Sequence, residues 1–215
     1  MRVVVMGAGS IGGYFGGMLS LGGNEVTLIA RGAHLEAIRD KGLQIITDYG
    51  QFTVQCDATD DPRQVDPVDL ILLTVKTYHN EQAVPAMRSM VGEDTTVLCL
   101  QNGIDSYEAA ERFIGAAQVL PGAAYIEGSL ESPGVVKQTG DVVEIVFGEP
   151  DGVASPRGEL ISETLTKAGI PAQLSDNIQK TLWSKFLFIA TMAGVTALSR
   201  ETMAQLMPRR EWRQV

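Results

Sequence analysis

The chain has 215 residues, 45% of them hydrophobic and 6% aromatic, enough apolar material for one large core with a smaller unit beside it and too much for a disordered chain. Its formal charge is −9 with the acids scattered rather than blocked, which argues against a broad surface for nucleic acid or an anionic membrane. Cys56 and Cys99 have no C-x-x-C spacing, and the apolar run after Arg2 meets glycine too soon for a secretory segment, so a reduced, cytoplasmic chain is expected.

In chain order, Arg2–Met6 reads as a short buried strand and Ser10–Leu21 as a helix whose glycines let it approach the sheet closely. Glu25–Ala30 is the next strand, and a helix follows from about Ala33 to Lys41. The stretch LQIITDYGQFTVQC predicts two strands about a turn at Asp48-Tyr49-Gly50. Asp69–Val75 is a continuous apolar run, as expected of a parallel strand covered on both faces. A helix over His79–Met90, a strand over Thr95–Leu100 and a helix over Ser106–Ile114 continue the alternation that defines a doubly wound sheet. Beyond Gln118, strands near Val119–Ile126, Val135–Gln138 and Val142–Phe147, separated by Pro133-Gly134 and Thr139-Gly140-Asp141, predict an antiparallel extension. Pro156–Ala168 reads as a helix and Ala172–Leu174 as a short strand. From Asn177 to about Leu206 the chain is expected to be helical. Its apolar part, Phe186–Leu198, is shorter than the roughly 20 residues of a membrane span and is expected to be a buried core helix. The division is thus 1–176 for an α/β domain and 177–215 for the start of a helical one. One helix has nothing of its own to bury its apolar face against, so a fragment or a second copy, a homodimer, is implied.

Gly7-Ala8-Gly9-Ser10-Ile11-Gly12 fits G-x-G-x-x-G between a strand and a helix, the fingerprint of a Rossmann-type dinucleotide-binding fold. Gly7 permits a tight turn, Gly9 lets backbone approach a pyrophosphate, and Gly12 lets helix and strand meet closely, although a plain turn can also use glycines. The end of the second strand usually carries an acid that binds ribose hydroxyls in NAD sites; here it carries Arg31. A guanidinium pairs instead with a 2′-phosphate, which selects NADP (NADPH), unless Arg31 is only a solvated loop cation.

Together with the glycine loop and Arg31 in LIARG, the pairs Val75-Lys76, Gln101-Asn102-Gly103 and Trp183-Ser184-Lys185 at the head of a long apolar helix resemble, in order, the ketopantoate reductase family (2-dehydropantoate 2-reductase). The resemblance spans essentially the whole chain. It implies an N-terminal Rossmann domain, a helical C-terminal domain, and NADPH-dependent reduction of a small-molecule 2-oxo acid to the 2-hydroxy acid between them. It also implies that Lys76 and Asn102 hold cofactor and substrate and that Lys185 is the catalytic lysine. Physically, Lys76 and Asn102 follow sheet strands, where ligands bind beyond the carboxyl ends, although Asn102-Gly103 is also a good turn dipeptide and Lys76 could be solvated. Ketone reduction leaves negative charge on oxygen, and a lysine whose pKa is lowered by desolvation can supply the proton, unless its head simply reaches water.

Two departures stand out. Members of the pantothenate pathway carry asparagines one and two turns after this lysine; Ile189 and Ala193 occupy those places here, which makes the wall beside Lys185 more apolar and puts ketopantoate itself in question. The family's catalytic glutamate and a substrate-binding serine lie beyond residue 215, so this chain is expected to bind cofactor better than it turns over. A dehydrogenase of another hydroxy acid and a non-catalytic NADP-binding module or subunit are the competing readings. His34 and His79 have no ligand-spaced partners and read as surface or cap residues without a metal; Glu127 reads as an exposed carboxylate at a strand end, and Arg209–Arg213 as the first turn of a further helix.

Overall fold

A computed structural model of the chain describes residues 1–210; the expected helical turn at 209–213 lies largely outside the described residues. The strands are β1 (Arg2–Met6), β2 (Glu25–Ile29), β3 (Leu43–Thr47), β4 (Gly50–Val54), β5 (Asp57–Thr59), β6 (Leu70–Leu73), β7 (Thr96–Cys99), β8 (Val119–Ser132), β9 (Val135–Phe147) and β10 (Ala172–Leu174). The helices are α1 (Ser10–Leu21), α2 (Gly32–Lys41), α3 (Asn80–Ala86), α4 (Glu108–Ile114), α5 (Pro156–Lys167), α6 (Ile178–Ser199) and α7 (Met203–Leu206).

The sheet runs β4-β3-β9-β8-β7-β6-β1-β2-β5, with β10 added alongside β9. Its stretch β5-β2-β1-β6-β7-β8 is all parallel, and in chain order it repeats the 3-2-1-4-5-6 arrangement of dinucleotide-binding sheets. The fold class is therefore α/β and Rossmann-type, with β8 and β9 forming the expected antiparallel extension and the β3–β4 hairpin attached beyond it.

Period-2 alternation sends the central side chains to opposite faces. Val3, Val5, Leu70 and Leu72 join one buried cluster, and Val4, Met6, Ile71 and Leu73 join another. The apolar runs are continuous because both faces are covered.

Helix α1 lies between two arms of the curled sheet. Side chains built at Gly12 and Gly16 would strike Val5 on β1 at 2.8 Å, and one at Gly13 would stand 3.0 Å from Val136 on β9. Four glycines in α1 cost helix propensity, and the close approach they permit offsets that cost.

Several elements differ from the sequence reading. Thr139-Gly140-Asp141 does not end a strand: Ile126 pairs with Val143 and Glu127 with Thr139, so Gly140, Asp141 and Val142 bulge from an otherwise continuous β9. The buried Gln138 side chain donates to the carbonyls of Thr139 and Gly140 at 2.9 and 2.6 Å, supplying partners that the ladder cannot. Glu127 accordingly sits within β8 rather than at its end, still exposed. The expected helix His79–Met90 is only α3, flanked by 3-10 turns at 77–79 and 87–90, because Pro85 removes a backbone donor and crowds the preceding turn. The three-residue edge strand β5 was not anticipated.

The helix expected to reach Leu206 stops at Ser199, where Arg200 takes a left-handed conformation, φ 58°. It is also not a buried core helix. Only Ile178 and Leu182 of α6 are buried, against Ala123 of β8, whereas Leu187, Phe188 and Leu198 are 63%, 65% and 87% exposed. Helix α6 has 22 residues and its most apolar 18-residue window has a mean hydropathy of 1.4, enough by length and composition alone to cross a bilayer, as the core helix of a soluble protein also can be. Its apolar side requires a cover that the described residues do not supply.

Gly12→Ala should lower unfolding free energy by about 1–3 kcal/mol in urea titration, because the added methyl meets the Gly7 carbonyl, a backbone group that cannot rotate away.

Candidate active site

The chain moves outward from β1 through β2 to β5, then returns to β6 on the other side of β1. Ligands of such sheets sit beyond the strand ends at this reversal. The loop after β1 and the loop after β6 meet there. Backbone N–H groups of Thr74 and Val75 both donate to the Met6 carbonyl at 3.1 Å, and the Thr74 hydroxyl donates to the Gly7 carbonyl at 2.9 Å. Gly7 has φ 108°, and a side chain on it would come within 2.6 Å of Val75. Gly9 faces open space instead. It precedes a helix with no side-chain cap and no acid in its first turn, so neither a cap nor a first-turn carboxylate competes for the partial positive charge of that helix end.

Arg31 is the N-cap residue of α2 and is exposed. It borders a cleft of about 180 Å³ whose other walls come from Gly7, Ala8, Ala30, Val75 and His79, with no acidic side chain in the lining. His79 is exposed and packs against Tyr78, their ring centroids 4.5 Å apart and their planes tilted by 59°.

Lys76 and Asn102 line a second cleft of about 180 Å³ on the other side of the β6 loop, together with Ile11, Thr74, Ala124 and Ile126. The buried side chain of Gln101 fixes their spacing. Its amide nitrogen donates to the Val75 carbonyl at 2.6 Å and to Asn80 Oδ1 at 2.7 Å, and Asn80 Nδ2 donates back to Gln101 Oε1 at 3.3 Å. The loop carrying Lys76, the start of α3 and the loop carrying Asn102 thus share one amide network. Sequence reasoning quoted Gln101 only as part of a motif; a glutamine directly after a fully apolar strand is the signal that could have exposed its structural role.

Asn102 also borders a small pocket beneath α6, shared with Leu182, Lys185, Phe186 and Ile189. Lys185 Nζ donates to the Ala124 carbonyl at 2.6 Å and lies 5.4 Å from the centre of the Tyr125 ring. Burial pushes its pKa down to about 8. The structure therefore brings Lys76, Asn102 and Lys185 to neighbouring pockets that share Gln101 and Asn102, while Arg31 lines a separate cleft beside the glycine loop. Ile189 lines the small pocket as expected from its helical spacing; Ala193 does not reach it.

His34 departs from its reading as a surface or cap residue. It is half-buried, and both ring nitrogens are engaged by backbone, at Ala8 and at Gly134. Among the described residues no cluster of three or more His, Cys, Asp or Glu could hold a metal.

The fold is an α/β sheet with the strand order of dinucleotide-binding proteins and titratable groups at its carboxyl edge. Residues 3–152 match the family described as Ketopantoate reductase PanE/ApbA, and the chain belongs to that family, which comprises NAD(P)-dependent oxidoreductases. It is 35% identical over 185 residues to 2-dehydropantoate 2-reductase of Pyrococcus abyssi, covering 86% of this chain and 60% of that one. It is 29% identical over 207 residues to the uncharacterized oxidoreductase YkpB of Bacillus subtilis, covering 96% of this chain and 68% of that protein. Among solved structures, 2-dehydropantoate 2-reductase from Porphyromonas gingivalis superposes with a TM-score of 0.90 at 34% identity, covering 98% of this chain and 76% of that one. D-mandelate dehydrogenase, solved with NADH and anilino(oxo)acetate, superposes with a TM-score of 0.90 at 28% identity, covering 100% of this chain and 69% of its own.

The residues present fit a dinucleotide: Gly9 leaves free the volume that a side chain would fill, and the Arg31 cleft carries no opposing acid. Gln101→Leu should strand the half-buried Val75 carbonyl and Asn80 amide, costing about 1–3 kcal/mol of stability in all, measurable by thermal unfolding.

Proposed function

We propose that the protein reduces a 2-oxo acid to the 2-hydroxy acid with NADPH. The observation that carries the reading is the placement of Lys185, a partly buried amine with its pKa lowered to about 8, beside Asn102 at the carboxyl edge of a dinucleotide-binding sheet. Gly7, Ala8, Gly9, Ser10, Ile11 and Gly12 form the pyrophosphate cradle: the N–H groups of Gly7, Ala8 and Gly9 bond within the chain and shape the loop, and those of Ser10, Ile11 and Gly12 at the α1 terminus are offered to the phosphates. Arg31 pairs with the 2′-phosphate, which is the basis for NADPH over NADH. Lys76 and Asn102 orient cofactor and substrate from the ends of their strands. When bound, the reduced nicotinamide supplies hydride. The chain must then meet the charge that develops on the ketone oxygen, and Lys185 holds a proton for that atom.

A second reading concerns the acid itself. Leu182, Phe186 and Ile189 share the small pocket with Lys185, so a hydroxyl on the substrate would find apolar neighbours there. An apolar 2-hydroxy acid, in the manner of the structurally similar D-mandelate dehydrogenase, fits this wall better than ketopantoate. A cytoplasmic location accompanies the proposal, since Cys56 and Cys99 are both free thiols. So does a homodimer, which would give the exposed side of α6 a partner.

Arg31→Ala should weaken NADPH by about 1.5–3 kcal/mol and NADH far less in parallel titrations; equal losses would show that Arg31 does not read the phosphate. For Lys185 the reductive rate should fall as pH rises through about 8, where the donor loses its proton. Lys185→Met should remove that limb and lower the rate by about 10²–10⁴-fold, with NADPH affinity nearly unchanged. Stability responds with the opposite sign. The folded chain binds fewer protons than the unfolded chain between about 8 and 10.5, so wild-type stability should rise with pH across that window, and the rise should vanish in Lys185→Met.

A further inference from the structure

His34 lies in the first turn of α2, three residues after Arg31, and its ring bridges two distant backbone segments. The Gly134 N–H donates to Nδ1 at 2.9 Å, and Nε2 lies 2.7 Å from the Ala8 carbonyl oxygen. Gly134 cannot yield easily. Its carbonyl accepts from Gln44 N–H at 2.8 Å, its φ is 78°, and a side chain on it would come within 2.9 Å of Ala37. A donor held that firmly makes Nδ1 the acceptor, which leaves the hydrogen on Nε2, where it is donated to Ala8.

Ala8 is the second residue of the glycine loop and is 2% exposed. Its N–H donates to the Ile29 carbonyl at 2.9 Å, so both of its backbone polar groups are tied toward β2 and α2. The adjoining peptide, Ala8–Gly9, is the weak point of an anion site: apart from the His34 bond, it is held by one tight-turn contact, the Gly9 N–H donating to the Gly7 carbonyl at 2.8 Å. C=O and N–H of one peptide point in opposite directions, and Gly9 tolerates nearly any backbone angle with nothing within 4 Å of where a side chain would stand. A flip of that peptide would aim a carbonyl oxygen at the phosphates in place of a turned-away one.

We infer that His34 is a positioning residue for dinucleotide binding: it holds the Ala8 carbonyl away from the pyrophosphate and ties the glycine loop to the helix that begins at Arg31. The inference rests on the dinucleotide reading given above. It requires no contact between His34 and the ligand.

The test compares His34→Ala, His34→Gln and His34→Asn by titration with three probes: NADPH, 2′-phospho-ADP-ribose and 2′-AMP. Gln places an amide donor where Nε2 stands; Asn places an acceptor near Nδ1 and cannot reach Ala8. His34→Ala and His34→Asn should weaken the two pyrophosphate-bearing ligands by about tenfold, the cost of one hydrogen bond of ordinary strength, and change 2′-AMP by less than about threefold. His34→Gln should restore the pyrophosphate ligands to within about threefold of wild type. Arg31→Ala, run alongside, should lose 2′-AMP. Equal losses for all three ligands, no loss in His34→Ala, or rescue by Asn rather than Gln would overturn the inference. If the wild-type chain binds neither NADPH nor 2′-phospho-ADP-ribose, the dinucleotide reading fails first and this one falls with it; if it binds both and the variants do not discriminate, only the role of His34 fails. Should His34→Ala not fold, the Gln–Asn comparison decides alone.

Discussion

The close seat of α1 between the two arms of the sheet is the constraint on which the rest of the molecule depends. Its glycines remove the side chains that would hold it off, so the helix start comes down on the end of β1 and against the Gly7 carbonyl. That contact turns the loop and leaves Gly9 facing open space. The same approach lets Thr74 reach Gly7, which fixes the β6 loop and, through Gln101, the loop after β7. Backbone geometry in one helix thereby propagates to the two loops that carry Lys76 and Asn102. No ion pair takes part in this chain of contacts; it is built from steric fit and hydrogen bonds to main-chain oxygens.

Much of the architecture was legible because the signals were local and mutually consistent. The unbroken apolar runs of β1, β6 and β7, the glycine loop and the hairpin turn at Asp48-Tyr49-Gly50 each identify an element without tertiary information. Where the reading failed, the deciding partner was remote in sequence. Thr139-Gly140-Asp141 has the composition of a turn, yet the long pairing with β8 carries the strand past it, with Gln138 satisfying the displaced carbonyls. The run Phe186–Leu198 shows that apolar surface needs covering but not what covers it; in the described residues most of it is bare. Strand β5 is three residues long and gains its identity only from β2.

The candidate site shows the same division. Residues tied to a motif can be named from the sequence, and those acting through backbone cannot. Gln101, Thr74 and His34 leave no spacing pattern because their partners are main-chain carbonyls and amides 26 to 100 positions away. Their physical role is to satisfy polar groups of the loops around the end of β1, a demand invisible until the fold defines which groups are withdrawn from water. Arg31 and Lys185 could be read early because they break expectation: a cation where an acid is usual, and a charge at the head of an apolar helix.

The link from Lys185 to the Ala124 oxygen has one further consequence. An ammonium that surrenders one hydrogen keeps two, and a neutral amine still donates. The fastening of α6 to β8 therefore survives the loss of charge, so the same nitrogen can cycle between protonation states without releasing the helix that holds it.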